Sequence, residues 1–247
     1  MLVEHLESKV NFVMKSSPIS TMEKEVAKPG ENTVLSSLSE SDHIIKVKDI
    51  HIWQGRVYTI LEYMDGKELT YVINEYREHY SEDFIKYTIF MAARGLADMH
   101  ERGILHRDIK SDNILCNSNG DIKLADMDVS VFLTEEQPYR KTYCGTDEWM
   151  SPEILNKLPY AMEADIWSFG AFIHELGSGH PPFLEEQKAG ESAVLEAIKT
   201  KPVPPIDHRS EGFNNLMLLC FERDVSKRAS ASGILKHPYL AGAENMR

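Results

Sequence analysis

Only three of the 247 residues are cysteine (Cys116, Cys144 and Cys220), and no two form a Cys-x-x-Cys pair. The count is odd and the spacing wide, so neither a disulfide framework nor a zinc knot is expected, and a reducing compartment is. Basic residues are also scarce: 27 lysines and arginines face 39 aspartates and glutamates, a formal net charge of −12. Nucleic acid or an anionic membrane needs a basic patch, which this balance disfavours; a cationic peptide partner suits it. No apolar run reaches the ~18 residues that a bilayer span requires. Glu4 and Glu7 interrupt the first ten residues, unlike a secretory signal, so a cytoplasmic location is expected, with the nucleus equally open. The ten histidines contain no His-Glu-x-x-His pair and read as surface or packing residues.

What is present is the material of an ordinary globular chain, 42% hydrophobic and 27% charged. Asn11 to Lys15 reads as a short strand. A polar stretch from Ser16 to Gly30 follows, broken by Pro18 and Pro29-Gly30. Glu31, Val34, Leu35 and Leu38 then fall on one face of a helix. His43 to His51 and Arg56 to Tyr63 read as strands joined by a turn at Gln54-Gly55. From Phe84 the period changes to that of a helix, through Ile85, Ile89, Ala92, Leu96 and Met99, with Gly103 placed to end it. Two short strands flank Asn117 to Gly120. Ala164 to Leu176 is nearly continuous apolar sequence and predicts a buried central helix.

The densest chemistry lies in His106-Arg107-Asp108-Ile109-Lys110-Ser111-Asp112-Asn113. Asp108 offers a carboxylate that can accept a hydroxyl proton, Lys110 a cation for phosphate, and Asn113 an amide oxygen for a metal. Ile122-Lys123-Leu124-Ala125 leads to a further possible metal carboxylate, Asp126.

That order and spacing resembles the catalytic loop and metal-binding strand of Ser/Thr protein kinases. The resemblance runs from about Phe12 to Leu240, and in the activation segment it is nearest to the PAK-type kinases of the sterile group. It implies an α+β bilobal protein-kinase fold, with a small strand-rich lobe and hinge over residues 1–64 and a mainly helical lobe over 65–247. It implies ATP and Mg²⁺ as cofactors and a protein substrate, basic around its acceptor Ser or Thr. By the same resemblance Asp108, Lys110 and Thr146 are catalytic, and Asn113 and Asp126 ligate the metal. Lys15 holds the nucleotide phosphates and pairs with Glu31. Glu62 and Met64 belong to the hinge behind Leu61, and Leu115 and Val13 flank the base. Glu68 lies near the ribose, or is a solvated acid at a helix start. Thr142 aligns with an activating phosphothreonine, made by an upstream kinase and received by Arg107. Glu153 pairs with Arg228, Asp165 braces the catalytic loop, and Met127 stacks with Val47, Leu35 and His106. Glu175 meets a substrate arginine or simply ends its helix.

Two departures from the pattern stand out. Fourteen residues precede Lys15 and none forms a Gly-x-Gly-x-x-Gly loop. The first strands and that loop are therefore expected upstream of Met1, leaving a truncated small lobe. Asp126-Met127-Asp128 replaces Asp-Phe-Gly, which adds negative charge near the metal and gives up glycine's backbone freedom. Both departures keep a competing reading open, a pseudokinase or kinase fragment that serves as a binding or scaffold module.

Overall fold

Phe12, Val13 and Met14 seed a strand that runs past the expected Lys15, from Asn11 to Pro18, in the computed structural model, which describes residues 1–18 and 31–246. The polar stretch expected over Ser16 to Gly30 is thus strand at its start, and its residues 19–30 lie outside the described ones. Leu2–Glu4 forms β1, which makes Asn11–Pro18 β2; they pair antiparallel, with Leu2 opposite Val13. Helix α1 spans Glu31–Ser37, and its buried Val34 and Leu35, with Leu38 just beyond, form the apolar face that the spacing foretold. Strands β3 (Val47–Trp53) and β4 (Arg56–Glu62) complete an antiparallel sheet in the order β1-β2-β4-β3.

The β3–β4 hairpin closes through Gln54 (φ 45°) and Gly55 (φ 70°). Positive φ at both central residues is the tight two-residue turn whose twist matches that of paired strands. The first part of the expected His43–His51 strand does not join this sheet. His43 and Ile45 instead exchange backbone hydrogen bonds with Leu124 of the other lobe, 2.9 Å each. Gly95 makes that crossing possible, because a Cβ there would lie 2.8 Å from the His43 carbonyl oxygen.

The larger lobe begins with α2 (Leu69–Tyr76) and α3 (Glu82–Glu101). Ser81 caps α3 by accepting from the Phe84 amide (3.2 Å), acidic Glu82 and Asp83 favour its N-terminus, and Gly103 (φ 70°) follows its end. Short hairpins follow: β5 (Ile104–Leu105), β6 (Ile114–Cys116), β7 (Ile122–Leu124) and β8 (Val131–Phe132), paired β5 with β8 and β6 with β7. After α4 (Pro152–Leu155) comes α5 (Met162–Ser178), buried continuously from Ala164 to Gly177, as its apolar sequence predicted. Of the remaining helices α6 (Leu184–Gln187), α7 (Glu191–Thr200), α8 (Glu211–Cys220) and α9 (Ala231–Leu235), α8 packs on α5, α6 on α7, α7 also on α4, and α9 on α3. Leu35, Met127 and His106 are buried, and Val47 is partly buried against the apolar core. Among the described residues no helix is long and apolar enough to cross a membrane.

Candidate active site

A cleft of about 560 Å³ opens between the sheet and the helical lobe. Val13, Lys15, Glu31, Leu61, Glu62, Met64, Glu68, Asn113, Leu115 and Asp126 all line it, so every expected nucleotide and metal residue faces one space. Ile45, Tyr63, Lys67, Asp112 and Ala125 also line it and were not singled out for it by sequence, and Asp128, expected to add negative charge near the metal, lines it too.

The β2 register places Lys15 opposite Thr59, at the mouth of the cleft. Its Nζ lies 2.9 Å from Glu31 Oε1 and 2.9 Å from Asp126 Oδ1. Burial opposes its charge, but hydrogen bonds to Asp128, Glu31 and Asp126 hold it above the usual lysine range. Glu31 is lifted above the usual carboxylate range, first by burial; Lys15 works against this and the nearby Asp128 with it. The Glu62 side chain turns away from the cleft chemistry, accepting from Lys123 Nζ (2.6 Å) and the Lys46 amide (2.8 Å). That buried ion pair anchors the connection between the lobes to β7. Glu68 is half-buried and bridges through its backbone to Leu115.

On the cleft floor Asp108 is held from both sides. Its Oδ1 accepts from Thr146 Oγ1 (2.7 Å), and its Oδ2 from Asn113 Nδ2 (2.9 Å). Lys110 Nζ donates to Thr146 Oγ1 (2.7 Å) and lies 3.1 Å from Asp108 Oδ2. Asn113 Nδ2 also donates to the Asp108 carbonyl (2.8 Å), so both amide hydrogens are used and its oxygen remains the donor for a cation. Asn113 and Asp126 thus present hard oxygen ligands of the kind Mg²⁺ takes. Gly145 brings Thr146 this close: at φ 112° its absent Cβ would lie 2.5 Å from the Arg107 carbonyl oxygen.

Behind this floor, buried Asp165 accepts from the backbone amides of His106 and Arg107, 2.8 Å each, and from His100 Nε2 (2.9 Å). Burial raises the cost of its charge, yet these partners keep Asp165 below the usual carboxylate range. They also fix Arg107 in a left-handed backbone (φ 72°). The His106 ring donates from Nε2 to the Ala125 carbonyl (3.1 Å) and accepts the Asp108 amide at Nδ1 (3.2 Å); burial keeps it well below the ordinary histidine range, hence neutral.

Arg107 Nε donates to the Val129 carbonyl (2.5 Å), while Nη1 and Nη2 are buried with no hydrogen-bond partner among the described residues. The Tyr160 hydroxyl sits beside this guanidinium without meeting hydrogen-bond geometry and donates to the Thr142 carbonyl (2.7 Å). Thr142 itself is exposed. Glu153 and Arg228 form the expected buried pair, at 2.6 Å and 3.2 Å. Glu175 does lie in the last turn of α5, where its carbonyl accepts the Gly179 amide (2.7 Å), but its side chain is buried, and Ser111 Oγ donates to its Oε1 at 2.6 Å.

The sequence matches the protein kinase domain family over residues 1–240. The chain belongs to that family. It is 37% identical over 209 residues to the serine/threonine-protein kinase pakA of Dictyostelium discoideum, 33% over 204 to PAK mbt of Drosophila melanogaster, and 30% over 207 to human PAK 4. These alignments take in 83%, 81% and 83% of this chain but only 17%, 31% and 34% of those proteins.

For a kinase-family chain, the third carboxylate on Lys15 is the unexpected feature. Asp128 Oδ1 lies 2.8 Å from Nζ, beside the expected partner Glu31 and Asp126, each at 2.9 Å. The substitution of glycine strains nothing in the backbone, since Asp128 is not among the residues with positive φ; that conformation falls on Asp126 (φ 61°). No periodicity or spacing signals the contact, because β2 and the β7 end meet only through the fold.

Proposed function

We propose that this chain is the catalytic domain of a Ser/Thr protein kinase, moving the ATP γ-phosphoryl group to a protein hydroxyl. The observation that supports it most is the closed set Asp108–Thr146–Lys110–Asn113 on the cleft floor. Asp108 orients the acceptor hydroxyl and takes its proton, while Thr146 and Asn113 fix the carboxylate. Lys110 sits where negative charge develops on the transferring oxygens. Lys15 holds the nucleotide phosphates, Leu115 and Val13 flank the base, and Glu62 and Met64 offer backbone groups. Asn113 and Asp126 would hold Mg²⁺, which when bound neutralises phosphate charge. The lobes divide after Met64, at the connection leading to Glu68. Lys110 and Thr146 favour Ser and Thr acceptors, and the acidic surface favours basic flanking residues in a cytoplasmic substrate.

Activation-segment phosphorylation fits the same arrangement. A phosphate on exposed Thr142, added by an upstream kinase, would supply acceptors for the unmatched Arg107 nitrogens, at roughly 1.5–3 kcal/mol per charge-assisted bond. Arg107 precedes Asp108, so ordering there reaches the base directly.

Labelled ATP, Mg²⁺ and a basic generic substrate test the reading. Asp108→Asn should lower transfer by about 10²–10⁴-fold, the range for loss of a general base, while nucleotide still binds. Unaltered transfer would remove Asp108 from its role. The engagement of Lys15 by Asp128 favours a second reading, a pseudokinase that serves as a binding module; transfer indistinguishable from background, with intact folding, would select it.

A further inference from the structure

Lys15 Nζ is shared by three carboxylates, at 2.9 Å (Glu31), 2.9 Å (Asp126) and 2.8 Å (Asp128). The Glu31 contact accompanies the family resemblance; the Asp128 contact exists because this chain has aspartate where the family pattern has glycine. The oxygens of the three acids lie within 4.8 Å of one another. Three negative charges therefore surround one ammonium, and like charges that close raise each other's cost of ionisation. A phosphate approaching Nζ must displace a carboxylate. Asp128 is the most exposed of the three, with 55% of its side chain open against 44% for Asp126 and 14% for Glu31, so it is the one that leaves at least cost.

We propose that Asp128 sets nucleotide affinity and its cation dependence by competing with the phosphates for the Lys15 ammonium, an inference that rests on the cleft being a nucleotide site. Free nucleotide meets surplus negative charge and an occupied lysine. Nucleotide carrying a divalent cation brings positive charge that attracts the displaced carboxylates, so the repulsion falls as Lys15 is released.

The test is ATP titration of wild type, Asp128→Asn and Asp128→Gly, each with chelator and with Mg²⁺, beside melting curves. Asparagine keeps the size and removes the charge; glycine restores the family residue should asparagine fold poorly. Metal-free affinity should rise about three- to tenfold in both variants, a range that allows for solvent screening of a half-exposed pair. Affinity with Mg²⁺ should change less, so the ratio of the two narrows. Equal metal-free affinity in wild type and folded variants would overturn the role of Asp128 and leave the nucleotide site standing. Absence of ATP binding by all three proteins, with and without Mg²⁺, would overturn the nucleotide site itself and the proposal with it.

Discussion

Glu175 is a carboxylate kept from water at the catalytic loop. Ser111 donates to it at 2.6 Å, Thr70 shares a 2.6 Å bond with Ser111, and Glu175 Oε2 has no hydrogen-bond partner among the described residues. Burial raises its pKa from 4.5 to about 7. The folded chain thus binds that proton more tightly than the unfolded chain does. Stability should then fall as pH rises from 4.5 to about 7 and level off above. Glu175→Gln keeps an acceptor for Ser111 and removes the titration. It should stabilise the chain above neutrality by roughly 2–3 kcal/mol and lose that advantage in acid, measured by denaturant unfolding across pH. A constant difference at all pH values would show that another group titrates.

At the scale of elements, the end of the activation segment depends on Arg228, which reaches Glu153 in α4 and the Glu163 carbonyl in α5. Arg228→Met leaves Glu153 buried without its partner and should cost about 3–5 kcal/mol, whereas Arg228→Met with Glu153→Leu should recover much of it. Equilibrium unfolding of the single and double variants checks this. Gly95→Ala should cost roughly 1–3 kcal/mol by pushing the His43–Ile45 crossing off α3; a melting temperature equal to wild type would contradict the close approach. Helices α3 and α5 were legible in the sequence because burial imposes a period on many residues at once. Strand β1 was not, since its three residues are defined by register against β2. The His43–Ile45 segment carries a strand-like pattern, but its partner is Leu124, and pattern alone does not name a partner. The floor of the cleft was legible for the opposite reason: Asp108, Lys110, Asn113 and Asp126 sit close in sequence at fixed spacing. Ile45, Ala125 and the Asp128–Lys15 contact depend on how distant segments meet, and the burial of Glu175 was not legible because its partner, Ser111, is a residue of no special pattern.

At the scale of the whole molecule, the cleft lies between the two lobes and the chain carries an excess of acid. A nucleotide that bridges the cleft should raise global stability by about 2.7 kcal/mol at ~100 times its Kd, read as a melting shift that Lys15→Met reduces. An excess of 39 acidic over 27 basic residues should draw basic peptides electrostatically. Their apparent KM should accordingly climb with added salt, while that of a neutral peptide stays flat. Thr142→Ala should lower turnover and leave nucleotide affinity nearly unchanged; equal rates for the phosphorylated, unphosphorylated and alanine forms would take Thr142 out of any switch. The Arg107 guanidinium, buried with two nitrogens that find no hydrogen-bond partner among the described residues, extends this beyond rate. An uncompensated buried charge makes the unmodified chain open more often, and opened chains are what proteases remove. Phosphorylation that satisfied Arg107 would then lengthen the lifetime of each copy as well as quicken it, so that unmodified molecules are cleared first and the surviving population drifts towards the modified form.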